Sequence, residues 1–193
     1  MKKTNLIGLF SAALFTLPAF AAWQVDNQQS RLSIVSVKNA AVTEVHHFQR
    51  LEGGLMDSGE FSLSIDLASI SSGIEIRDTR MRELLFNVAD FPRAVVSARV
   101  TPALYQSLKA GQSVATDIDF TINLHGQVGN MSAAVLVTAL ENGGLQVVTQ
   151  QPLVLRASEF GLDAGIDALR DIAGLKNINT MVPVSFHLTL QPQ

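Results

Sequence analysis

The sequence predicts a mainly β protein, a single sandwich or closed antiparallel barrel of eight or nine short strands with one or two short helices. Three observations carry this. Period-two alternation recurs along the chain, turn-forming clusters separate the alternating stretches at close spacing, and only two segments break the rhythm. The clearest strands are Phe61, Leu63, Ile65 and Leu67 against Ser62, Ser64 and Asp66; Ile118, Phe120, Ile122 and Leu124 against Asp117, Asp119, Thr121 and Asn123; and Val182, Val184, Phe186, Leu188 and Leu190 against Ser185, His187 and Thr189. Each has one dry face.

The elements follow in order. Lys2 and Lys3, an apolar run from Leu6 to Leu17, Pro18 and Ala19-Phe20-Ala21 form a secretory leader, with cleavage expected after Ala21. The apolar run is too short for a bilayer span of about 20 residues. This predicts a leader over 1–21, one domain over 22–193 and a periplasmic address. Weaker strands are expected at 32–38, 51–56, 94–100, 133–139, 145–149 and 153–157, divided by turns such as Asp57-Ser58-Gly59 and Asn142-Gly143-Gly144. From Gly161 to Gly174 the apolar residues Leu162, Ile166, Leu169 and Ala173 are spaced four, three and four apart, which predicts a helix ended by Gly174. The other interruption, Ser71 to Pro92, concentrates charge at Arg77, Asp78, Arg80, Arg82 and Glu83, and places Met81, Leu84 and Leu85 on one helical face.

Composition excludes several function classes. The chain has no cysteine, which removes disulfides, thiol catalysis and cysteine metal sites together. Of its 14 basic residues, Lys2 and Lys3 go with the leader, leaving 12 against 17 acidic ones, a net charge of −5 that disfavours nucleic acid. No later segment reaches about 18 uninterrupted apolar residues, so stable membrane insertion is not expected. Neither a Gly-x-Ser-x-Gly elbow, a His-Glu-x-x-His helix, a phosphate loop nor a dinucleotide fingerprint occurs, so no enzyme activity and no cofactor are expected. His46 and His47, adjacent residues that on a strand point to opposite faces, are not expected to share a metal ion; His125 and His187 on other strands could join one of them, but without cysteines or a spaced His/Asp/Glu triplet no metal site is expected.

The inward rows are aliphatic and phenylalanine. An eight-stranded barrel is just wide enough to be filled by side chains or to hold one small ligand, and alternation alone does not choose between a filled core and a cavity. A cavity lined by Phe61, Leu63, Ile65, Phe120, Ile122, Val184, Phe186 and Leu188 would take a hydrocarbon guest, each buried methylene contributing about 0.8 kcal/mol. Such a pocket would be expected on the scale of about 300–1,000 Å³. At its mouth Arg77 and Arg80 are candidates for a polar head group, since a guanidinium offers several donors; the competing reading is a salt-bridge network that anchors the segment. Leu84, Leu85 and Phe86 are expected to be buried, Leu84 and Phe86 against the guest.

Motif order adds to this. Trp23-Gln24-Val25-Asp26 followed by Ser30 and a strand, Ser69-Ile70-x-x-Gly73, Arg77-Asp78, Leu84-Leu85-Phe86 and Phe91-Pro92 resemble, in order and spacing, the YceI-like family of secreted lipid or polyisoprenoid binding proteins. Phe120 to Gly126, Ala157 to Gly161 and Val182-Pro183-Val184 extend the resemblance through nearly all of the mature chain. The resemblance implies a lipocalin-like antiparallel barrel with a pocket for an isoprenoid or other long-chain lipid, acting as carrier or store. Arg80-Met81 stands where the family commonly has His-Leu, a departure near the expected pocket rim. The oligomeric state is left open, a homodimer included.

Overall fold

Alternation becomes twelve strands among residues 22–193, which the structure, a computed structural model, describes; the leader expected over 1–21 lies outside the described residues. In chain order they are β1 (Trp23–Val25), β2 (Arg31–Lys38), β3 (Val42–Phe48), β4 (Leu51–Leu55), β5 (Glu60–Asp66), β6 (Ile70–Ser71), β7 (Arg93–Arg99), β8 (Ser113–Leu124), β9 (Gln127–Ala139), β10 (Leu145–Thr149), β11 (Leu153–Arg156) and β12 (Met181–Pro192).

Their pairing closes a barrel of eight staves. β1 and β2 run in succession along one edge of β12, and β10 and β11 along the other. Likewise β4 pairs β1 while β3 pairs β2, and β5 pairs β4 while β6 pairs β3. The staves are therefore β1/β2, β3/β4, β5/β6, β7, β8, β9, β10/β11 and β12, each antiparallel to the next and the last to the first. The circuit closes on itself, and the strand edges left open among the described residues are short: β6 pairs only β3, and β11 only β12.

Short polar side chains make the breaks within staves. Between β1 and β2 the Asp26 carboxylate accepts the backbone N–H groups of Gln28 and Gln29 at 2.9 and 3.2 Å, a local turn that competes with the sheet ladder. Between β5 and β6 Asp66 accepts the Ala68 N–H at 2.9 Å, and Ser69 Oγ accepts those of Gln49 and Arg50 at 3.1 and 3.0 Å.

Three short helices close the ends. α1 (Glu75–Arg80) widens through Met81–Leu85, where the Phe86 N–H reaches back five residues to the Met81 carbonyl. α3 (Asp163–Ile172) occupies the segment for which helical spacing was expected, and it packs on 81–85 over the same end of the barrel. There Gly165 passes so close that a Cβ would lie 2.6 Å from the Leu84 carbonyl oxygen and 2.7 Å from Leu85 Cα. α2 (Pro102–Gln106), with proline in its first turn, was not foreseen. It closes the opposite end, where the Tyr105 ring meets Trp23 edge-on at 5.4 Å and the Trp23 indole N–H donates to the Gly143 carbonyl at 2.9 Å.

Candidate ligand-binding site

Antiparallel register places directly opposed residues on the same face, so the inner wall can be read strand by strand. Phe61, Ala98, Phe120 and Met131 lie side by side on β5, β7, β8 and β9, and Leu63, Val96 and Ile122 form the neighbouring row. Phe186 and Val184 of β12 stand opposite Leu32 and Ile34 of β2, and Leu188 opposite Val147 of β10. All of these line one cavity of about 220 Å³, and no polar atom contributes to its surface. Tyr105 also reaches it, with its hydroxyl turned to the Met56 carbonyl at 3.4 Å.

The volume is smaller than the pocket scale expected from the sequence. The phenylalanine rows narrow the interior, while Ala94, Ala98 and Ala133 keep it open where larger side chains would fill it. At Gly129 the space is taken by Phe160, whose ring tip would lie 2.8 Å from an added Cβ. Phe160 is 1% exposed and plugs the helical end.

Nine of the twelve residues singled out from the sequence line this cavity: Phe61, Leu63, Ile65, Phe86, Phe120, Ile122, Val184, Phe186 and Leu188. Leu84 does not. It is 40% exposed, and Leu85 takes its place in the wall. The cause is the widened turn: backbone bonds spanning five residues carry Leu84 away from the direction of buried Met81, which Leu85 still shares.

Arg77 and Arg80 also lie outside the wall. Arg77 pairs with Glu44 at 2.6 Å, and donates to Ser72 Oγ at 2.8 Å and to the Ser72 carbonyl at 2.9 Å. Arg80 is half-buried on α1, and Arg82 pairs with Glu75 at 2.7 Å. The charged run is thus largely an anchoring network.

The sequence reading missed the part of the barrel to which this network attaches. β3 was not foreseen because its inward positions, Glu44 and His46, are polar; yet Glu44, His46 and Phe48 alternate on one face, opposite Ser36, Ile34 and Leu32. Glu44 accepts Lys38 at 2.9 Å as well as Arg77. Asp78, 6% exposed, accepts the Ser72 N–H at 2.8 Å and the Ser72 hydroxyl. His46 is 3% exposed, and its Nδ1 is the buried side-chain nitrogen or oxygen left without a partner among the described residues.

Burial alone would raise the Glu44 carboxyl, but hydrogen bonds from Arg77 and Lys38 outweigh it and hold the carboxyl below its ordinary value. Burial, assisted by the Arg77 charge, pushes the His46 imidazole below its ordinary value of 6.5; burial and Arg31 do the same for His47. Folded-state values below the unfolded ones place the associated stability at higher pH. The histidine contribution is present above 6.5 and declines as pH falls through 6.5 towards the lowered values, and the Glu44 contribution is lost only as pH falls below 4.5. The unfolding midpoint followed by circular dichroism should therefore drop in two stages on acidification. Glu44→Gln should blunt the second stage and deepen the first, because the Glu44 charge that favours the His46 imidazolium is gone.

A protein-family model described as the YceI-like domain matches residues 23–190, the whole barrel from β1 into β12. The chain belongs to the YceI-like family. Among solved structures, this YceI-like chain is similar to a polyisoprenoid binding domain from Saccharophagus degradans implicated in plant cell wall breakdown, at 37% identity and TM-score 0.88, over 90% of this chain and 100% of that one. Burkholderia cenocepacia BcnA matches at 20% identity and TM-score 0.63, over 86% and 98% of the two chains, and shares the fold. No curated protein matches the YceI-like chain significantly.

Proposed function

We propose that this YceI-like barrel is a periplasmic carrier or store for an apolar isoprenoid-type lipid, a polyisoprenoid or quinone-like amphiphile, bound inside the barrel and released unchanged. The observation that carries the reading is the continuous cavity whose surface is entirely apolar. A guest there is held by removal of hydrocarbon from water. The similar Saccharophagus degradans domain is described as polyisoprenoid binding, which supports the same class of guest, and the leader over 1–21 supports the address. In this reading Phe61, Leu63, Ile65, Phe86, Phe120, Ile122, Val184, Phe186 and Leu188 contact the chain of the guest. Catalysis forms no part of it: the lining residues are apolar apart from Tyr105, whose hydroxyl is turned to the Met56 carbonyl.

Length sets the affinity. A guest of three isoprene units carries about fifteen chain carbons. Their burial contributes roughly 12 kcal/mol before the cost of association, itself about 4–15 kcal/mol. Much shorter chains should fail to offset that cost. Prenyl alcohols of increasing length, competed against a fluorescent fatty-acid analogue, should gain affinity steeply up to three or four isoprene units and level off beyond. Affinity independent of chain length would remove the reading.

A further inference from the structure

Next to Ile34 and Phe48 of the cavity wall, Lys38, Glu44, His46, Ser72, Arg77 and Asp78 come together in a polar cluster that does not itself line the cavity. Their hydrogen bonding is nearly complete within the protein. Glu44 takes both cations, Lys38 and Arg77, while Asp78 takes the N–H and hydroxyl of Ser72. Two positive and two negative charges cancel, so the cluster offers an incoming anion no surplus of positive charge. His46 stands apart. It lies directly opposite Ile34 and two residues from Phe48, both of which line the cavity, and shares their inward face. A buried polar atom without a partner is costly, and a group supplied by a ligand would remove that cost.

We propose that His46 is the polar end of the guest site and that it takes an uncharged head group, a hydroxyl or a carbonyl, in preference to a diphosphate. The assignment rests on the lipid-carrier reading above and adds the chemistry of the head. A neutral imidazole fits either partner: with Nδ1 unprotonated it accepts from a hydroxyl, and in the other tautomer it donates to a carbonyl. The direction of the His46 shift, with burial as its leading cause, keeps the ring neutral at pH 7. A diphosphate would have to draw Arg77 away from Glu44 and Ser72, or rely on Arg80 at the edge of α1. Either course brings a multiply charged group to the end of an apolar cavity, where desolvation opposes it.

The test compares four compounds sharing one geranylgeranyl chain: the alcohol, a methyl ketone, the diphosphate and the parent hydrocarbon. Their affinities are measured by competition on the full barrel and on His46→Leu and His46→Gln, each variant first checked for a cooperative thermal transition. The alcohol and ketone should bind about ten-fold or more tightly than the hydrocarbon and the diphosphate. His46→Leu should erase the advantage of alcohol over hydrocarbon, and His46→Gln, which still donates and accepts, should keep part of it. A preference for the diphosphate, abolished by Arg80→Gln and indifferent to His46→Leu, would overturn the assignment. So would equal binding of all four compounds, with the carrier reading left standing. Failure of all four to bind would defeat both.

Discussion

Ala133→Phe should abolish lipid uptake, lowering affinity for a geranylgeranyl-length guest by at least about 100-fold, while the barrel still folds. Ala133 is 2% exposed on β9, opposite Ile118 of β8, and both line the cavity. A phenyl ring at this position projects into a space of about 220 Å³ and interrupts the path of a chain that depends on continuous contact. The loss follows from the magnitudes: roughly 12 kcal/mol of gross burial is spread along the chain at about 0.8 kcal/mol per methylene, so excluding a third of it removes about 4 kcal/mol. Overpacking a filled core costs about 1–3 kcal/mol. Here the ring enters open space, and the thermal midpoint should move by only a few degrees in either direction. Titration calorimetry gives the affinity and differential scanning calorimetry the midpoint. Unimpaired uptake by a folded Ala133→Phe variant would place the guest elsewhere.

Phe160→Ala should produce the largest loss of stability from any single substitution at the helical end, about 3–5 kcal/mol. Phe160 ends the turn at Ala157–Phe160, is 1% exposed and seats its ring against Gly129, where β9 has no side chain of its own. Truncation leaves a void between α3 and the barrel mouth that neither element can collapse to fill, since Gly165 already holds α3 in backbone contact with Leu84 and Leu85. For a domain of this size the midpoint should fall by about 6–20 °C. Hydrogen exchange should show the weakening concentrated in α3 and residues 81–85, the elements this ring supports. A loss below about 1 kcal/mol would mean that the plug is not the keystone of that end.

The barrel was legible because its strongest signal is local. Alternation at Phe61–Leu67, Ile118–Leu124 and Val182–Leu190 fixed which residues face inward, and register merely aligned the rows. The helix at Asp163–Ile172 was equally plain from spacing alone. What escaped was whatever breaks a simple period. Glu44 and His46 put polar groups at inward positions and concealed β3; α2 is too short, at five residues, to show a pattern; and the wide turn at Met81–Leu85 left Leu84 exposed while Leu85 kept its expected burial. The Arg77 network was invisible for another reason. Its partner Glu44 lies far away in sequence, and only folding brings the carboxylate to within 2.6 Å of the guanidinium. The expectation for Ser71 to Pro92 thus divides: its apolar residues Leu85 and Phe86 belong to the cavity wall, while its charges fasten the cap to β3.

The central claim is that the interior holds a lipid chain, and the most direct measurement is mass spectrometry of the protein expressed from its full sequence and purified without detergent. Native spectra should show one apolar adduct per chain, organic extraction should release an isoprenoid of about three to four units or longer, and Ala133→Phe prepared in parallel should run at its bare mass. A bare mass for the unaltered protein, together with no uptake when prenyl alcohols are added, would contradict the account.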